Sequence, residues 1–283
     1  MKNSLVFIGT SWFAVPILKK LHEEGVAVSL VITQPDRPAG RHQTLTPSPV
    51  KTLAEQLGLP VFQPEKLDQA AVSHIAAVNP EIIIVAAYGQ LLPDALLALP
   101  SHGCLNIHPS LLPKYRGASP IQTAIFNGDT QTGVSIIVLD NNMDHGPIVA
   151  QRPVVILDDD TTESLGYGLA GESADLLLTI LPDYLAGKLP AQLQDDHQAT
   201  FTKQLTSADG HVDWQRTAGE IDCQIRAMHP WPGAWTISDG QRVKILKAHL
   251  LGGELMIDTV QPAGKPAMRY DDYRRGHPPL GTP

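Results

Sequence analysis

Asn106 and His108 stand two positions apart in Leu105-Asn106-Ile107-His108-Pro109. On an extended strand residues two apart share a face, so an amide and an imidazole project together while Ile107 turns the other way. An amide N–H can hold an oxygen on which negative charge develops, and an imidazole can carry or move a proton. Taken singly, an asparagine and a histidine at a strand end are more often local hydrogen-bonding groups. A third polar group is Asp144, in the turn Leu139-Asp140-Asn141-Asn142-Met143-Asp144-His145-Gly146-Pro147. Turns favour aspartate for their own sake, but a carboxylate that reached His108 would orient its ring and assist proton movement.

The elements that must position these groups are legible as apolar patterns. Leu5 to Thr10, Val26 to Thr33, Val61-Phe62, Glu81 to Ala87 and Cys104 to His108 read as buried strands, with helical spacing at Val15, Leu18, Leu21, then Leu53 to Leu57, then Ala70 to Val78. That alternation is βαβ, an α/β fold with a mostly parallel sheet of Rossmann-like form. Open parallel sheets bind ligands outside the carboxyl ends of their strands, where Asn106 and His108 lie. Pro120 to Phe126 reads as a helix capped by Ser119, Thr162 to Ala186 as a helix with interior glycines, and Val134 to Leu139 with Ile148 to Ile156 as antiparallel additions.

Gly9-Thr10-Ser11 lacks the G-x-G-x-x-G spacing, which disfavours a dinucleotide and leaves a tight strand-to-helix turn. We expect a catalytic domain over 1–187, a linker over 188–203 and a smaller domain over 204–283, whose short β-rich pieces at 234–237, 243–248 and 254–260 suggest a reduced OB-like β-barrel. Trp231, Trp235 and Tyr270 are expected in its core or hinge.

Of the 283 residues 43% are hydrophobic and 18% charged, ordinary for a soluble enzyme and too apolar for a disordered chain. A net charge of −8, concentrated before residue 200, argues against a surface that binds nucleic acid all over, while leaving room for a local basic face. The first apolar run is too short for a signal peptide or a membrane span. Two cysteines, Cys104 and Cys223, form neither a disulfide framework nor a metal spacing, which fits a reducing cytoplasm, no metal and no membrane partner.

Asn106, His108 and Asp144, together with Ser110-Leu111-Leu112-Pro113, resemble the folate-dependent formyltransferase superfamily, which uses an asparagine, a histidine and an aspartate in this order. Thr33-Gln34-Pro35-Asp36-Arg37-Pro38-Ala39-Gly40-Arg41, Pro47-Ser48-Pro49-Val50-Lys51 and Ala86-Ala87-Tyr88-Gly89 narrow the resemblance to its tRNA-directed branch. Residues 225–235 and 261–265 match that branch as well, so the similarity runs along nearly the whole chain.

The resemblance implies 10-formyltetrahydrofolate as formyl donor, the free α-amine of initiator methionyl-tRNA as acceptor, and a monomer. It implies that Asn106 and a protonated His108 stabilise the formyl oxygen, each donor worth roughly 3 kcal/mol, and that Asp144 holds the imidazole. Ser110, Leu111, Leu112, Pro113, Tyr88 and Gly89 would form the folate pocket. Arg37, Arg41 and Lys51 would meet tRNA phosphates from the loop between Thr33 and Lys51, and Lys244 and Lys247 from the second domain.

Two departures stand out. His42-Gln43-Thr44 replaces the further lysines usual after Arg41, and the stretch from Gly252 to Val260 is shorter than a full barrel needs. His145, where threonine is usual, could compete with His108 for Asp144. Alternatives that share the catalytic set are a sugar-nucleotide N-formyltransferase, for which the loop at 33–51 has no need, and a hydrolase of formyl-folate. A non-catalytic folate-binding protein would require neither His108 nor Asp144.

Overall fold

The strands Leu5–Gly9 and Ile82–Ala86 are buried along their whole length. A strand buried on both faces belongs at the middle of a sheet covered on both sides, and there the computed structural model, which describes residues 4–40 and 43–281, places them. Across the seven-stranded sheet the order is Ile148–Val155, Gln131–Val138, Cys104–His108, Ile82–Ala86, Leu5–Gly9, Val28–Ile32, Val61–Phe62. The five strands from Cys104–His108 to Val61–Phe62 pair in parallel, and Gln131–Val138 joins Cys104–His108 antiparallel, as the sequence pattern predicts.

Strand alternation sends Val6, Ile8, Leu30, Ile32, Ile83 and Val85 to one core, which also takes Val72 and Ile75 of the helix Gln69–Ala76. The helix Ala14–Glu23 buries Ala14, Ile17, Leu18 and Leu21 and packs against the helix Pro49–Gln56. Gly9 is required for close approach: a Cβ there would stand 2.8 Å from Ala14 Cβ and 3.0 Å from the carbonyl of Ala86. Burial pushes the Cys104 thiol up to about 12, as befits a core residue.

By its contacts the chain divides into two units. The first comprises Met1–Arg116, Gly133–Pro153 and Tyr167–Thr200, and the second Gly117–Thr132, Val154–Gly166 and Phe201–Pro283. The second therefore borrows two earlier segments as well as the C-terminal stretch. In it, Pro120–Phe126 packs on the helix Ala218–Ala227, which in turn packs on the strand Gln241–Leu251. Thr217 and Glu220 close a capping box at the start of that helix, satisfying two orphan N–H groups at once.

Its sheet has four antiparallel strands, Ala234–Ser238, Gln241–Leu251, Glu254–Pro262 and Met268–Arg269, over a core of Val212, Ile221, Ile225, Val243, Ile245 and Val260. A parallel bridge between His211 and Trp235 flanks the first strand and the last is an edge, so among the described residues this is an open antiparallel sheet rather than the barrel expected.

Three local expectations change. Ser119 occupies the N-cap of Pro120–Phe126, but its side chain makes no cap bond; proline at the first turn fixes the entry instead. Trp231 is 57% exposed, whereas Trp235 donates its indole N–H to the Ser207 carbonyl and lies under Arg242. The stretch expected as a linker is bonded along the first unit as far as Thr200: Gln192 and Ile148 exchange backbone bonds of 2.7 and 2.8 Å.

Ile84 is fully buried in the central sheet, where it pairs with Leu105. Truncation to alanine should therefore cost about 2–5 kcal/mol, read as a lower urea midpoint for the transition of the first unit; an unchanged midpoint would refute this placement of the core.

Candidate active site

Gly9, Ala86 and Ile107 stand side by side across three strands, so the parallel strands end almost level. His108 is the last residue of its strand and only 4% exposed. The neighbouring antiparallel strand ends at Val138, and the turn that follows is folded tightly against it. Gly146 makes this possible, because a Cβ there would lie 1.7 Å from the Val138 carbonyl oxygen. The turn brings Asp144, at a left-handed φ of 49°, to the face that carries Asn106 and His108.

The three expected groups meet. Asn106 Nδ2 donates to Asp144 Oδ1 at 3.3 Å, and His108 Nδ1 lies 3.5 Å from Asp144 Oδ2. His108 Nε2 is 2.9 Å from the carbonyl oxygen of Tyr115. A carbonyl can only accept, so Nε2 carries a proton and Nδ1 is the nitrogen turned to the carboxylate. The ring is thus clamped between a carbonyl and a carboxylate. Asn106 uses one amide hydrogen on Asp144, and its second can serve an incoming oxygen.

The Ser110 to Pro113 stretch is rigidly pinned. Ser135 Oγ donates to the Ser110 carbonyl and accepts from Leu112 N, and Gln151 Nε2 donates to both Ser135 Oγ and the Leu112 carbonyl. Ser110 and Leu112 face inward, while Leu111 and Pro113 remain half-exposed. Tyr88 is buried in the core, with Gly89 exposed beside it, and its carbonyl accepts from Gln34 Nε2 at 2.6 Å.

The loop between Thr33 and Lys51 carries a small hairpin, Arg37–Ala39 against Thr44–Thr46. Its base is closed by a 2.6 Å bond between the hydroxyls of Thr33 and Ser48. Lys51 Nζ sits 2.8 and 3.0 Å from the two carboxylate oxygens of Asp36, which also accepts from Gln63. Gln63 first, and then Lys51, hold the Asp36 carboxyl below the usual carboxylate range. Lys51 accordingly braces the foot of the hairpin, and Arg37 pairs with Glu65 on its surface. Arg41 lies outside the described residues.

Lys244 and Lys247 stand on the C-terminal sheet, far along the chain from this loop. Ile245 and Ala248 both face the core, although three positions separate them; the bulge that reconciles them leaves Lys247 exposed.

Sequence reasoning missed the groups that hold the Asp144 turn. Gln194 Nε2 donates to the carbonyls of Asp144 and Gly146, at 2.9 and 2.8 Å, and Gln194 Oε1 accepts from Arg116 Nε and Nη2. Only the polar run Gln192 to Gln198 hinted at them, and polarity also suits a linker.

His145 does not compete for Asp144. Its Nδ1 is 2.6 Å from Asp140 and its Nε2 3.4 Å from Asp196. The hydrogen bond to Asp140 is the largest influence and raises the pKa of His145; burial opposes it, and the charges of Asp140 and then Asp196 add to the rise. A raised value means that folding favours the charged ring. Its contribution to stability is complete below the unfolded-state pKa and fades as pH rises through the folded-state value. An NMR titration should place His145 above the ordinary imidazole value in the native protein and return it toward that value in Asp140→Asn; a titration curve indifferent to the substitution would break the assignment.

Comparison with known proteins identifies the family. Residues 2–181 match the family model described as formyl transferase, and residues 204–254 that of the formyl transferase C-terminal domain. The methionyl-tRNA formyltransferase of Halalkalibacterium halodurans is 41% identical over 298 residues, covering 96% of this chain and 94% of its own. That of Herpetosiphon aurantiacus is 43% identical over 297 residues, covering 96% and 97%. Among solved structures, the methionyl-tRNA formyltransferase of Clostridium thermocellum superposes with a TM-score of 0.64 at 17% identity, over 93% of this chain and 99% of its own. An N-formyltransferase of Helicobacter canadensis in complex with folinic acid and dTDP-3-aminofucose gives 0.67 at 18% identity, over 88% of each chain. With both family models matched and full-length relatives above 40% identity, the chain belongs to the formyl transferase family.

Proposed function

We propose that the chain transfers the formyl group of 10-formyltetrahydrofolate to the free α-amine of methionyl initiator tRNA. The observation that carries this reading is the meeting of Asn106, His108 and Asp144 on one face at the end of a parallel strand. The amine adds to the formyl carbon, the bond from that carbon to N10 breaks, and the proton lost by the amine ends on N10. As negative charge grows on the formyl oxygen, the second amide hydrogen of Asn106 donates to it. His108 Nε2 is taken up by the Tyr115 carbonyl and Nδ1 faces Asp144, so its part is to set the position of that carboxylate rather than to donate to the oxyanion. Asp144, faced by an amide and an imidazole, is the group suited to take the proton from the amine and pass it on.

We assign the accessible Leu111, Pro113 and Gly89, with the buried Ser110, Leu112 and Tyr88 next to them in the chain, to the folate pocket. The fixed backbone of that loop suits a flat ring system, because little there has to be ordered when the donor binds.

The acceptor is the finer point. A sugar-directed enzyme and a tRNA-directed one share this fold about equally, so architecture alone does not choose between them. Full-length sequence similarity and the hairpin between Thr33 and Lys51 favour tRNA. The acceptor end would lie along that hairpin, with Arg37, Arg41, Lys244 and Lys247 as the cations that meet phosphates. Lys51 acts indirectly, by holding the foot of the hairpin. No helix of the described residues is long and apolar enough to cross a membrane, and we propose a cytoplasmic monomer.

Incubation with 10-formyltetrahydrofolate should formylate methionyl initiator tRNA and leave amino-sugar nucleotides untouched; the reverse pattern would reject the acceptor. His108→Ala and Asp144→Ala should abolish turnover with folate binding largely retained, and Asn106→Ala should lower kcat by roughly 10²–10³-fold. Lys247→Ala should raise KM for tRNA at constant kcat and reduce the slope of log KM against log salt by about one. An unchanged slope would remove Lys247 from the tRNA surface.

A further inference from the structure

Asp144 is placed by its backbone, and the backbone is held by one amide. Gln194 Nε2 has two hydrogens, and each goes to a carbonyl of the turn, at Asp144 and at Gly146. For this the amide must point its nitrogen toward the turn and its oxygen away. What fixes that choice is Arg116. A guanidinium can only donate, and its Nε and Nη2 both reach Gln194 Oε1, at 3.1 and 2.8 Å. Arg116 is itself 3% exposed, and Nη2 also donates to Asp196 Oδ1 at 2.8 Å. The sequence of constraint therefore runs from a buried cation to an amide, from the amide to two carbonyls, and from those to the carboxylate that Asn106 and His108 address.

We infer that Gln194 and Arg116 are positioning residues for the transfer reaction, acting through Asp144. Neither needs to touch the substrate. Gln194 sets the height and twist of the turn, and Arg116 sets the orientation of the Gln194 amide. The inference rests on reading Asp144 as a reacting group. The groups around the pair are compatible with this role: His145 ties Asp140 to Asp196 and so joins the same turn to the same segment from its other side.

Two variants of Gln194 that keep its length test the idea. Gln194→Met removes both donors without adding charge, and Gln194→Glu keeps a partner for Arg116 while turning a second oxygen toward the carbonyls. Each should lower kcat, Gln194→Glu by roughly 10²-fold, the scale of an ångström-sized misplacement, while KM for tRNA and for the folate stays near its starting value. Arg116→Lys, which loses the two-point grip on Oε1, should show the same split more weakly.

A readout independent of any substrate accompanies the kinetics: the imidazole NMR signals of His108 should move in both Gln194 variants. Unmoved His108 signals would overturn the inference even if the wild-type protein failed to formylate methionyl-tRNA, a result that bears on the acceptor alone. Full kcat in folded Gln194→Met, or a raised KM at constant kcat, would overturn it as well, since the latter marks a substrate contact.

Discussion

One carboxylate has to be held where an amide and an imidazole from a distant segment can both reach it, and the rest of the site is built around that requirement. Asp144 contacts Asn106 across 38 positions of chain. Its φ of 49° is a conformation that L-residues enter at a cost of roughly 1–2 kcal/mol, though aspartate tolerates it better than most. A strained turn of this kind persists only where its surroundings over-determine it. Here they do so twice: Gly146 lets the turn press onto the end of the Gln131–Val138 strand, and Gln194 bonds its carbonyls from outside. The antiparallel strand is part of the same solution. A parallel neighbour would need a crossover of a dozen or more residues before the chain returned, and could not deliver a short turn to that face.

Burying a cation to orient an amide is an expensive device. An arginine as buried as Arg116 must have its charge and its donors met, and Gln194 and Asp196 meet them. Arg116 in turn holds the Asp196 carboxyl below its ordinary range. A hydrophobic residue in its place would demand less compensation but would specify no orientation for Gln194. Here the polar group serves geometry rather than net stability, and that is where a polar network belongs: close to atoms whose positions decide a rate.

The strength of sequence signal followed how local each physical cause is. Strands of continuous aliphatic residues such as Ile82–Ala86 announce themselves, because burial on both faces leaves no place for a polar residue. Asn106 and His108 could be paired from the two-residue period alone. The distance from Asp144 to them could not, since it depends on how a turn folds back. Gln194 was obscured for a related reason: it lies in a stretch of Gln and Asp whose composition suits a solvated connection equally well, and only its partners in space distinguish the two. Lys51 shows the same limit from the opposite side. Its charge suggested a phosphate, but its ammonium is taken up by Asp36, fifteen positions away. Family resemblance, not residue chemistry, supplied the folate and the direction of transfer.

The separation of chemistry from acceptor choice also has a structural basis. The trio sits on a sheet end whose geometry is fixed by buried strands, so any amine that reaches it can meet the same arrangement. On the proposed reading, choice of amine lies in parts that the sheet does not dictate, such as the hairpin between Thr33 and Lys51. Among the described residues of the hairpin, Lys51 is paired with Asp36 and Arg37 with Glu65. What it presents instead is shape, with the exposed Leu45 on one strand and a base locked by Thr33 and Ser48. For a chain of net charge −8, long-range attraction of a polyanion is weak. On the proposed reading, recognition of tRNA rests on short-range fit rather than on an overall basic field.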